Sequence, residues 1–290
     1  MKGVMPYFKL LRPHQWIKSG FVLVGLLFGH AWHQPLLVEK VLLAALAFAL
    51  AASAVYVIND LADRKQDREH PEKRHRPLAS GAISVGQALL LGGICLVAAL
   101  TLAWTSSPGV FSIVLAYVVL NVGYSMGLKH VVLLDVFIIS SGFMMRLLAG
   151  TLGVGIAPSH WLLLCGLVLT LFLGFAKRRA ELNVMSGRGG LHRRVLDDYD
   201  PVLLDMLIGI CAASAIISYS LYTVSAETLA MHGTDSLIFT VPFVIYGIFR
   251  YLYLLHRRGG GGDPAAALLQ DGHLLAAFFG WVIAVVILLA

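Results

Sequence analysis

The chain has 290 residues, of which 58% are hydrophobic and only 13% are charged. Soluble domains average roughly 45–50% apolar and about 25% charged residues, so this composition excludes a soluble globular protein. A mean hydropathy of +0.81 and apolar runs of about 20 residues indicate a helical protein that crosses a membrane several times. The formal charge of +6 is typical of a basic cytoplasmic face, and we expect no nucleic-acid partner.

Nine apolar segments are predicted to cross the membrane, the first of them short. The basic, amphipathic N-terminus before it is interpreted as a retained helix, because no small-residue cleavage site follows. The sequence therefore predicts an all-α polytopic membrane protein with one domain over residues 1–290. The predicted spans are approximately residues 18–30, 37–58, 85–105, 109–127, 131–151, 159–176, 203–224, 236–255 and 272–290.

Basic residues lie almost entirely on one side of these spans. Twenty of the 22 Lys and Arg residues fall near the N-terminus, in two polar loops at about residues 59–84 and 177–202, or next to the fourth and eighth spans. Such an excess of positive charge is typical of cytoplasmic segments. We expect the N-terminus and both loops in the cytoplasm and, because the predicted number of spans is odd, the C-terminus outside.

The second span ends in an acidic segment, NDLADRKQD, at residues 59–67. At 100° per residue, Asp60, Asp63 and Asp67 fall within an arc of about 60° on one helix face, with Asn59 at its edge. Carboxylates so close repel one another unless a cation lies between them, and hard oxygen ligands suit Mg²⁺. The alternative is an acidic, solvated helix end, which leaves the alignment at a membrane boundary unexplained.

The segment after residue 67 is basic, and Pro71 and Pro77 indicate a loop. Carboxylates that hold a metal, followed at once by cations, predict a diphosphate site, because the metal neutralises the leaving group and cations hold the other oxygens. Ordinary positive-inside topology is the alternative explanation for any single one of these cations. The candidate phosphate-binding residues here are Lys73, Arg74 and Arg76.

Polar residues elsewhere form a second set of candidates. Lys177 and Arg178 lie four and three residues before Glu181, so a helix-surface ion pair is the alternative to contact with a phosphate-bearing substrate. Arg146 lies inside the fifth span, about 16 Å along the axis from Asp135, and therefore needs a different internal partner. Interfacial snorkelling and ordinary interfacial tyrosines are alternatives for others in this set. The remaining candidates are Lys18, Tyr124, Lys129 and Tyr199.

The spacing N-D-x-x-D-x-x-x-D at the end of the second span resembles the UbiA superfamily of intramembrane prenyltransferases. The resemblance implies a UbiA-like helical bundle with a central cavity open to the cytoplasmic side, where two Asp-rich motifs hold Mg²⁺ and a diphosphate. Residues 176–182, AKRRAEL, stand where the second motif is expected. They lack its carboxylate pair and so depart from the pattern.

Four motifs are similar to a narrower branch, the decaprenyl-phosphate phosphoribosyltransferases. They are RPHQWIK at residues 12–18, DREHPEKRHRP at 67–77, GLKH at 127–130 and KRxxEL at 177–182. In that branch a lipid phosphate is the acceptor, and the diphosphate belongs to phosphoribosyl pyrophosphate (PRPP). The resemblance implies transfer of the 5-phosphoribosyl group from PRPP to decaprenyl phosphate, for arabinan and cell-wall precursors, at the cytoplasmic face of the inner membrane.

The chemistry of that reaction agrees with the residue types. PRPP and a lipid phosphate together bring three anionic groups, which one acidic motif with several basic clusters suits better than two acidic motifs. The acceptor oxygen is already ionised, so no general base is required. Catalysis then consists of alignment of the substrates, metal-assisted loss of pyrophosphate and stabilisation of an oxocarbenium-like ribose. We expect Asp60, Asp63 and Asp67 to bind Mg²⁺ and to act in catalysis with Lys177 and Glu181. The expected substrate-binding residues are Lys18, Asn59, Lys73, Arg74, Arg76, Tyr124, Lys129, Asp135, Arg178 and Tyr199.

Two other functions stay open at this stage. A UbiA-type enzyme that moves a polyprenyl group onto an aromatic acceptor is the main alternative, and the missing second carboxylate pair counts against it. A transporter or lipid-binding membrane protein is the other, and no clear internal repeat supports it. Membrane lipid is an expected partner in every case, and the sequence is compatible with a homo-oligomer.

Overall fold

The computed structural model describes residues 3–71, 73–185, 194–196, 198–257 and 264–289. Every regular element in these residues is helical, which agrees with the predicted all-α class. Backbone contacts divide the chain into two compact units, residues 1–158 and 159–290. The single domain and the central cavity expected from the sequence both stay predictions.

The first unit contains seven α-helices and one long 3₁₀ segment, joined by short loops. Its elements are α1 (Met5–Leu11), the 3₁₀ segment (Pro13–Leu23), α2 (Val24–Phe28), α3 (Pro35–Ala62), α4 (Arg64–Glu69), α5 (Val85–Ser106), α6 (Pro108–Met126) and α7 (Leu134–Ala149). Single 3₁₀ turns lie at Lys73–His75, Leu128–His130 and Leu152–Val154.

The second unit is built from three long helices, α8, α9 and α11, and the C-terminal helix α13. Its elements are α8 (His160–Met185), a 3₁₀ turn (Arg194–Leu196), α9 (Pro201–Val224), α10 (Ala226–His232), a 3₁₀ turn (Ser236–Thr240), α11 (Val241–Arg257), α12 (Pro264–Gln270) and α13 (Gly272–Leu289).

Eight segments in the described part of the chain are long and apolar enough to cross a membrane. They correspond to the second to ninth predicted spans. The first predicted span, residues 18–30, instead forms the end of the 3₁₀ segment and the five-residue helix α2. Neither element reaches the roughly 20 residues that a spanning helix needs, so the count of nine is not confirmed.

Two glycines allow the 3₁₀ segment and α2 to pack tightly against the end of α7. A Cβ atom added to Gly150 would lie 2.7 Å from the carbonyl carbon of Val22, and one added to Gly25 would lie 2.6 Å from the carbonyl carbon of Gly150. The backbone of the 3₁₀ segment and α2 therefore lies directly against the end of α7, where side chains do not fit.

Helix α3 is the centre of the first unit. Its most apolar stretch is 61% buried, whereas those of α5 and α6 are 22% and 28% buried. Small residues allow its neighbours to approach closely, and Ala44, Ala47 and Ala51 are completely buried in a core with Phe48 and Tyr117. The helix therefore holds the acidic segment at its C-terminal end on a well-packed support.

Local sequence signals set the helix boundaries that flank the acidic segment. Pro35 occupies the first turn of α3, where its missing N–H has no helical partner to lose. Ser84 caps α5 by accepting a hydrogen bond from the backbone N–H of Gln87, and the Gln87 side-chain oxygen accepts the reciprocal bond of a capping box from the backbone N–H of Ser84. Pro35 thus fixes where α3 begins, and the capping box fixes where the loop of residues 70–84 ends and α5 begins.

Candidate active site

The N-terminal segment is hydrogen-bonded to one face of α3. Ser53, Tyr56 and Asp60 lie on this face because they are spaced by three and four residues. The buried Ser53 hydroxyl donates a hydrogen bond to the carbonyl oxygen of Leu11 at 2.8 Å and accepts one from Trp16 Nε1 at 2.9 Å. The segment around residue 12 is thereby placed beside Asp60, about two turns further along α3.

Arg12 connects this segment to the acidic motif. Its Nη2 lies 2.6 Å from Asp60 Oδ1, and its guanidinium lies 4.9 Å from the centre of the Tyr56 ring. Its backbone is left-handed, with φ of 51°, a conformation that costs a non-glycine residue about 1–2 kcal/mol. The ion pair and the cation–π contact offset that cost.

Arg76 joins two of the three predicted carboxylates. Its Nη1 lies 3.1 Å from Asp60 Oδ1 and 2.8 Å from Asp67 Oδ2. The loop that carries it is held against α4, because Arg64 and Arg68 donate to the carbonyl oxygens of residues 78 and 79. Asp60 and Asp67 therefore converge on a single cation position, as their shared helix face predicts.

Lys129 bonds the third carboxylate. It lies in the 3₁₀ turn after α6, is almost completely buried, and forms an ion pair with Asp63. Ser125, one turn earlier, contacts Asn59 Oδ1 at 3.5 Å. The structure thus gathers Asn59, Asp60, Asp63, Asp67, Arg76 and Lys129 from the predicted site, together with Arg12, which was not among the predicted site residues. We call this set the acidic cluster.

The second unit places its own charged network at the start of the other long loop. Arg178, completely buried, bonds Glu181 three residues later on α8. Arg179 donates to Asp205 on α9, with Nε 2.8 Å from Oδ1, and His256 on α11 lies 3.5 Å from the same oxygen. The ion-pair alternative thus describes Arg178 and Glu181 as they stand, although in a buried rather than a surface position.

Comparison with known proteins decides the family. The model of the UbiA prenyltransferase family matches residues 19–283. The chain belongs to the UbiA prenyltransferase family. The resemblance seen in the sequence is confirmed, and with the eight apolar helices it makes this chain a multi-pass membrane protein.

Two curated relatives carry a name that is more specific than the name of the family. The chain is 35% identical over 252 residues to the decaprenyl-phosphate phosphoribosyltransferase of Corynebacterium glutamicum, covering 84% of this chain and 74% of that protein. It is 32% identical over 247 residues to the protein of that name from Mycobacterium tuberculosis, covering 84% and 81%.

A solved structure shows the same fold. The UbiA homolog from Archaeoglobus fulgidus bound to GPP and Mg²⁺ superposes with a TM-score of 0.70 at 21% identity, covering 97% of this chain and 99% of that one. At this identity the likeness establishes the UbiA fold, and that protein's ligands stay its own.

Two carboxylates of the acidic cluster are the residues that could hold a divalent metal in this UbiA protein. The carboxylates of Asp60 and Asp67 offer hard oxygen atoms to one shared position, now taken by Arg76. Within the described residues no three His, Cys, Asp or Glu side chains are grouped so as to hold a metal, and Asp63 is bonded to Lys129. Two carboxylates thus fit a cation, and the three-ligand assignment stays a prediction.

Other predicted site residues occupy varied environments. Asp135 is completely buried in the first turn of α7, and Tyr199 is buried near the start of α9. Arg74 is exposed in the loop before α5. The half-buried candidates are Lys18, Lys73, Tyr124 and Lys177. The functional roles of all these residues stay predictions.

Arg146 has the internal partners that its position demands. Its guanidinium donates to the carbonyl oxygen of Gly142 at 2.7 Å and to the Tyr117 hydroxyl at 3.2 Å. The rings of Tyr117, Phe48 and Phe143 surround it, with centres 4.8 to 5.7 Å away. Cation–π contact replaces the carboxylate partner usual for an intramembrane arginine.

Proposed function

We propose that this UbiA protein is a Mg²⁺-dependent phosphoribosyltransferase that transfers the 5-phosphoribosyl group of PRPP to a polyprenyl phosphate such as decaprenyl phosphate. The observation that carries the proposal is the acidic cluster, which combines three carboxylates with three cations from separate segments. Relatives named decaprenyl-phosphate phosphoribosyltransferase support it.

The cluster suits a donor that carries several phosphates. The carboxylate pair of Asp60 and Asp67 would hold Mg²⁺, which when bound neutralises charge on a leaving diphosphate. The side chains of Arg12 and Arg76 are 21% and 26% exposed, so each is partly open to a ligand that carries phosphate oxygens. Arginine binds such oxygens through two parallel hydrogen bonds.

The bond changes require few proton transfers. An ionised oxygen of the lipid phosphate forms the new bond to the anomeric carbon of ribose, while the bond from that carbon to the diphosphate breaks and pyrophosphate leaves. No general base is needed, and the protein contributes alignment and charge stabilisation. Lys177 and Glu181 of the second unit are proposed to contact phosphate or ribose, and variants of each test this role.

The cellular setting is part of the proposal. The distribution of basic residues supports a cytoplasmic active site in the inner membrane, with the N-terminus on the same side. With eight long spans in the described residues, the side on which the C-terminus lies depends on whether residues 13–28 cross the membrane. The lipid product would serve arabinan and cell-wall precursor synthesis.

A transfer assay tests the activity directly. Purified protein in detergent is incubated with labelled PRPP, Mg²⁺ and decaprenyl phosphate, and label in the organic phase is counted. We expect a phosphoribosyl lipid that requires both PRPP and the divalent metal. A parallel reaction replaces these substrates with geranyl diphosphate and an aromatic acid. Prenylation there, without label transfer from PRPP, would refute the proposal in favour of the aromatic prenyltransferase.

A further inference from the structure

Each predicted metal ligand in the acidic cluster is already bonded to a cation of the chain itself. Arg12 and Arg76 both bond Asp60 Oδ1, and Arg76 also bonds Asp67. The remaining ion pair joins Lys129 to Asp63. Three carboxylates therefore face three cations, and the cluster has no net charge before any metal is bound.

Because the cluster is neutral, it disfavours the binding of a divalent metal ion without an accompanying anion. The side chains of Asp60 and Asp67 are only 2% and 5% exposed, and charges in such weakly hydrated places interact strongly. A divalent cation would compete with Arg76 for the position between the two carboxylates. The displaced guanidinium belongs to a side chain that is only 26% exposed, and it would then lack an anionic partner, which is costly for a partly buried charge.

A diphosphate removes both difficulties at once. It brings several negative charges that compensate those of the metal, and its oxygens accept the two parallel hydrogen bonds that a guanidinium offers. Arg76 would exchange carboxylate oxygens for phosphate oxygens and stay paired throughout. The same exchange is open to Arg12, which is bonded to the same oxygen atom of Asp60.

From this geometry, and resting on the function proposed above, we infer that Arg76 is a resident cation that keeps the acidic cluster closed to free metal. Metal and diphosphate donor then bind cooperatively, each raising the affinity of the other. Thermodynamic linkage makes this effect reciprocal. The protein should therefore bind a divalent ion weakly by itself and much more tightly when PRPP is present.

Metal affinity measured without any reaction tests the inference. Mn²⁺ binding to the purified full-length protein in detergent is followed by electron paramagnetic resonance, first with Mn²⁺ alone and then with PRPP. The variants are Arg76→Gln, which removes the competing cation, and Lys65→Gln as the matched control. Lys65 is an exposed residue of α4 two positions before Asp67, so its variant removes the same charge nearby.

Without PRPP, we expect Arg76→Gln to bind Mn²⁺ at least about tenfold more tightly than the wild type, within the usual range of coupling between sites. Lys65→Gln should change the affinity less than about twofold, because exposed charges are screened. PRPP should strengthen Mn²⁺ binding to the wild type more than to Arg76→Gln. Equal Mn²⁺ affinity of the wild type and Arg76→Gln would overturn the inference, whatever the donor is.

The outcome separates this inference from the proposed function. Tighter Mn²⁺ binding by Arg76→Gln, with no effect of PRPP on the wild type, would support the resident cation and refute PRPP as the donor. If Arg76→Gln does not fold, Arg12→Gln takes its place, since it removes the other guanidinium from Asp60 and should change Mn²⁺ affinity in the same direction. An unchanged affinity in that variant would equally overturn the inference.

Discussion

The contact between the 3₁₀ segment and the end of α7 gives a sharp prediction about stability. In Gly150→Ala, the new Cβ atom would lie 2.7 Å from the carbonyl carbon of Val22, whereas ordinary contacts begin at 3.4 Å. The carbonyl oxygen of Val22 would lie closer still, so the two backbones must separate by more than about 0.7 Å, and neither can move aside as a flexible side chain would. Overpacking of this kind typically costs about 1–3 kcal/mol.

The assay is thermal unfolding of the purified protein in detergent. A loss of 1 kcal/mol lowers Tm by about 2–4 °C in a chain of this size class, so a cost of about 1–3 kcal/mol should make Gly150→Ala melt about 2–12 °C below the wild type. Gly93→Ala is the matched control, because an added Cβ meets nothing within 4 Å there and alanine favours the helix by about 1 kcal/mol.

The same substitution should weaken the acidic cluster, because Val22 lies in the segment that begins directly after Arg12. We expect reduced PRPP binding by Gly150→Ala and unchanged binding by Gly93→Ala. A Tm for Gly150→Ala equal to or above that of the wild type would refute the proposed backbone contact.

Four further predictions follow from individual contacts. Asp60→Asn should lower phosphoribosyl transfer at least about 100-fold yet stay folded, because both arginines bond Oδ1, which asparagine retains as an acceptor. Ser53→Ala should cost about 1–3 kcal/mol in thermal unfolding, since it leaves two part-buried polar partners, the Leu11 carbonyl oxygen and Trp16 Nε1, without this bond. Arg146→Lys should lower stability by about 1–2 kcal/mol, because an ammonium group cannot replace a planar guanidinium among three rings. The hydrogen bonds from Arg250 lower the pKa of Asp271 to about 2. The ionised Asp271 therefore stabilises the fold fully above pH 3.8, and this contribution is lost as the pH falls towards 2. Pepsin cleavage near α13 should rise over that pH range in the wild type.

Each of these predictions has a contradicting result. Full transfer activity in Asp60→Asn would remove this carboxylate from the chemistry. A wild-type melting temperature in Ser53→Ala or Arg146→Lys would show that the contacts in question contribute little. For Asp271, Asp271→Asn is the control, because asparagine does not titrate. If both proteins show the same pepsin cleavage profile, the Arg250 pair is not responsible for the acid sensitivity.

The strongest sequence patterns anticipated the long helices and the acidic cluster. Continuous apolar stretches predict spanning helices directly, because the hydrocarbon core sets their length. The helical spacing of Asp60 and Asp67 predicted that they share one face, and the structure brings both to one guanidinium. Asp63 departs from this pattern and pairs with Lys129 instead. The break between the two helices at residue 63, where ψ is near 0°, places Asp67 on α4 and not on α3.

Two features were beyond sequence reasoning for physical reasons. The first predicted span is apolar, but its conformation depends on backbone contact between Gly25 and Gly150, residues far apart in the chain. The role of Arg12 depends on a left-handed turn and on Ser53, neither of which leaves a local signal. The available signal was the RPHQWIK motif itself, which begins at Arg12.

On the face of α3 that carries Ser53, Tyr56 and Asp60, the spacing along the helix sets where the N-terminal segment makes its contacts. Ser53 sets where the N-terminal segment is fastened, and seven residues later Asp60 receives its arginine. Inserting one residue between them would turn the carboxylate by about 100° and shift it by about 1.5 Å. The number of residues in this stretch is therefore as strict a requirement as their identity, and a functional variant should tolerate substitutions here far better than insertions or deletions.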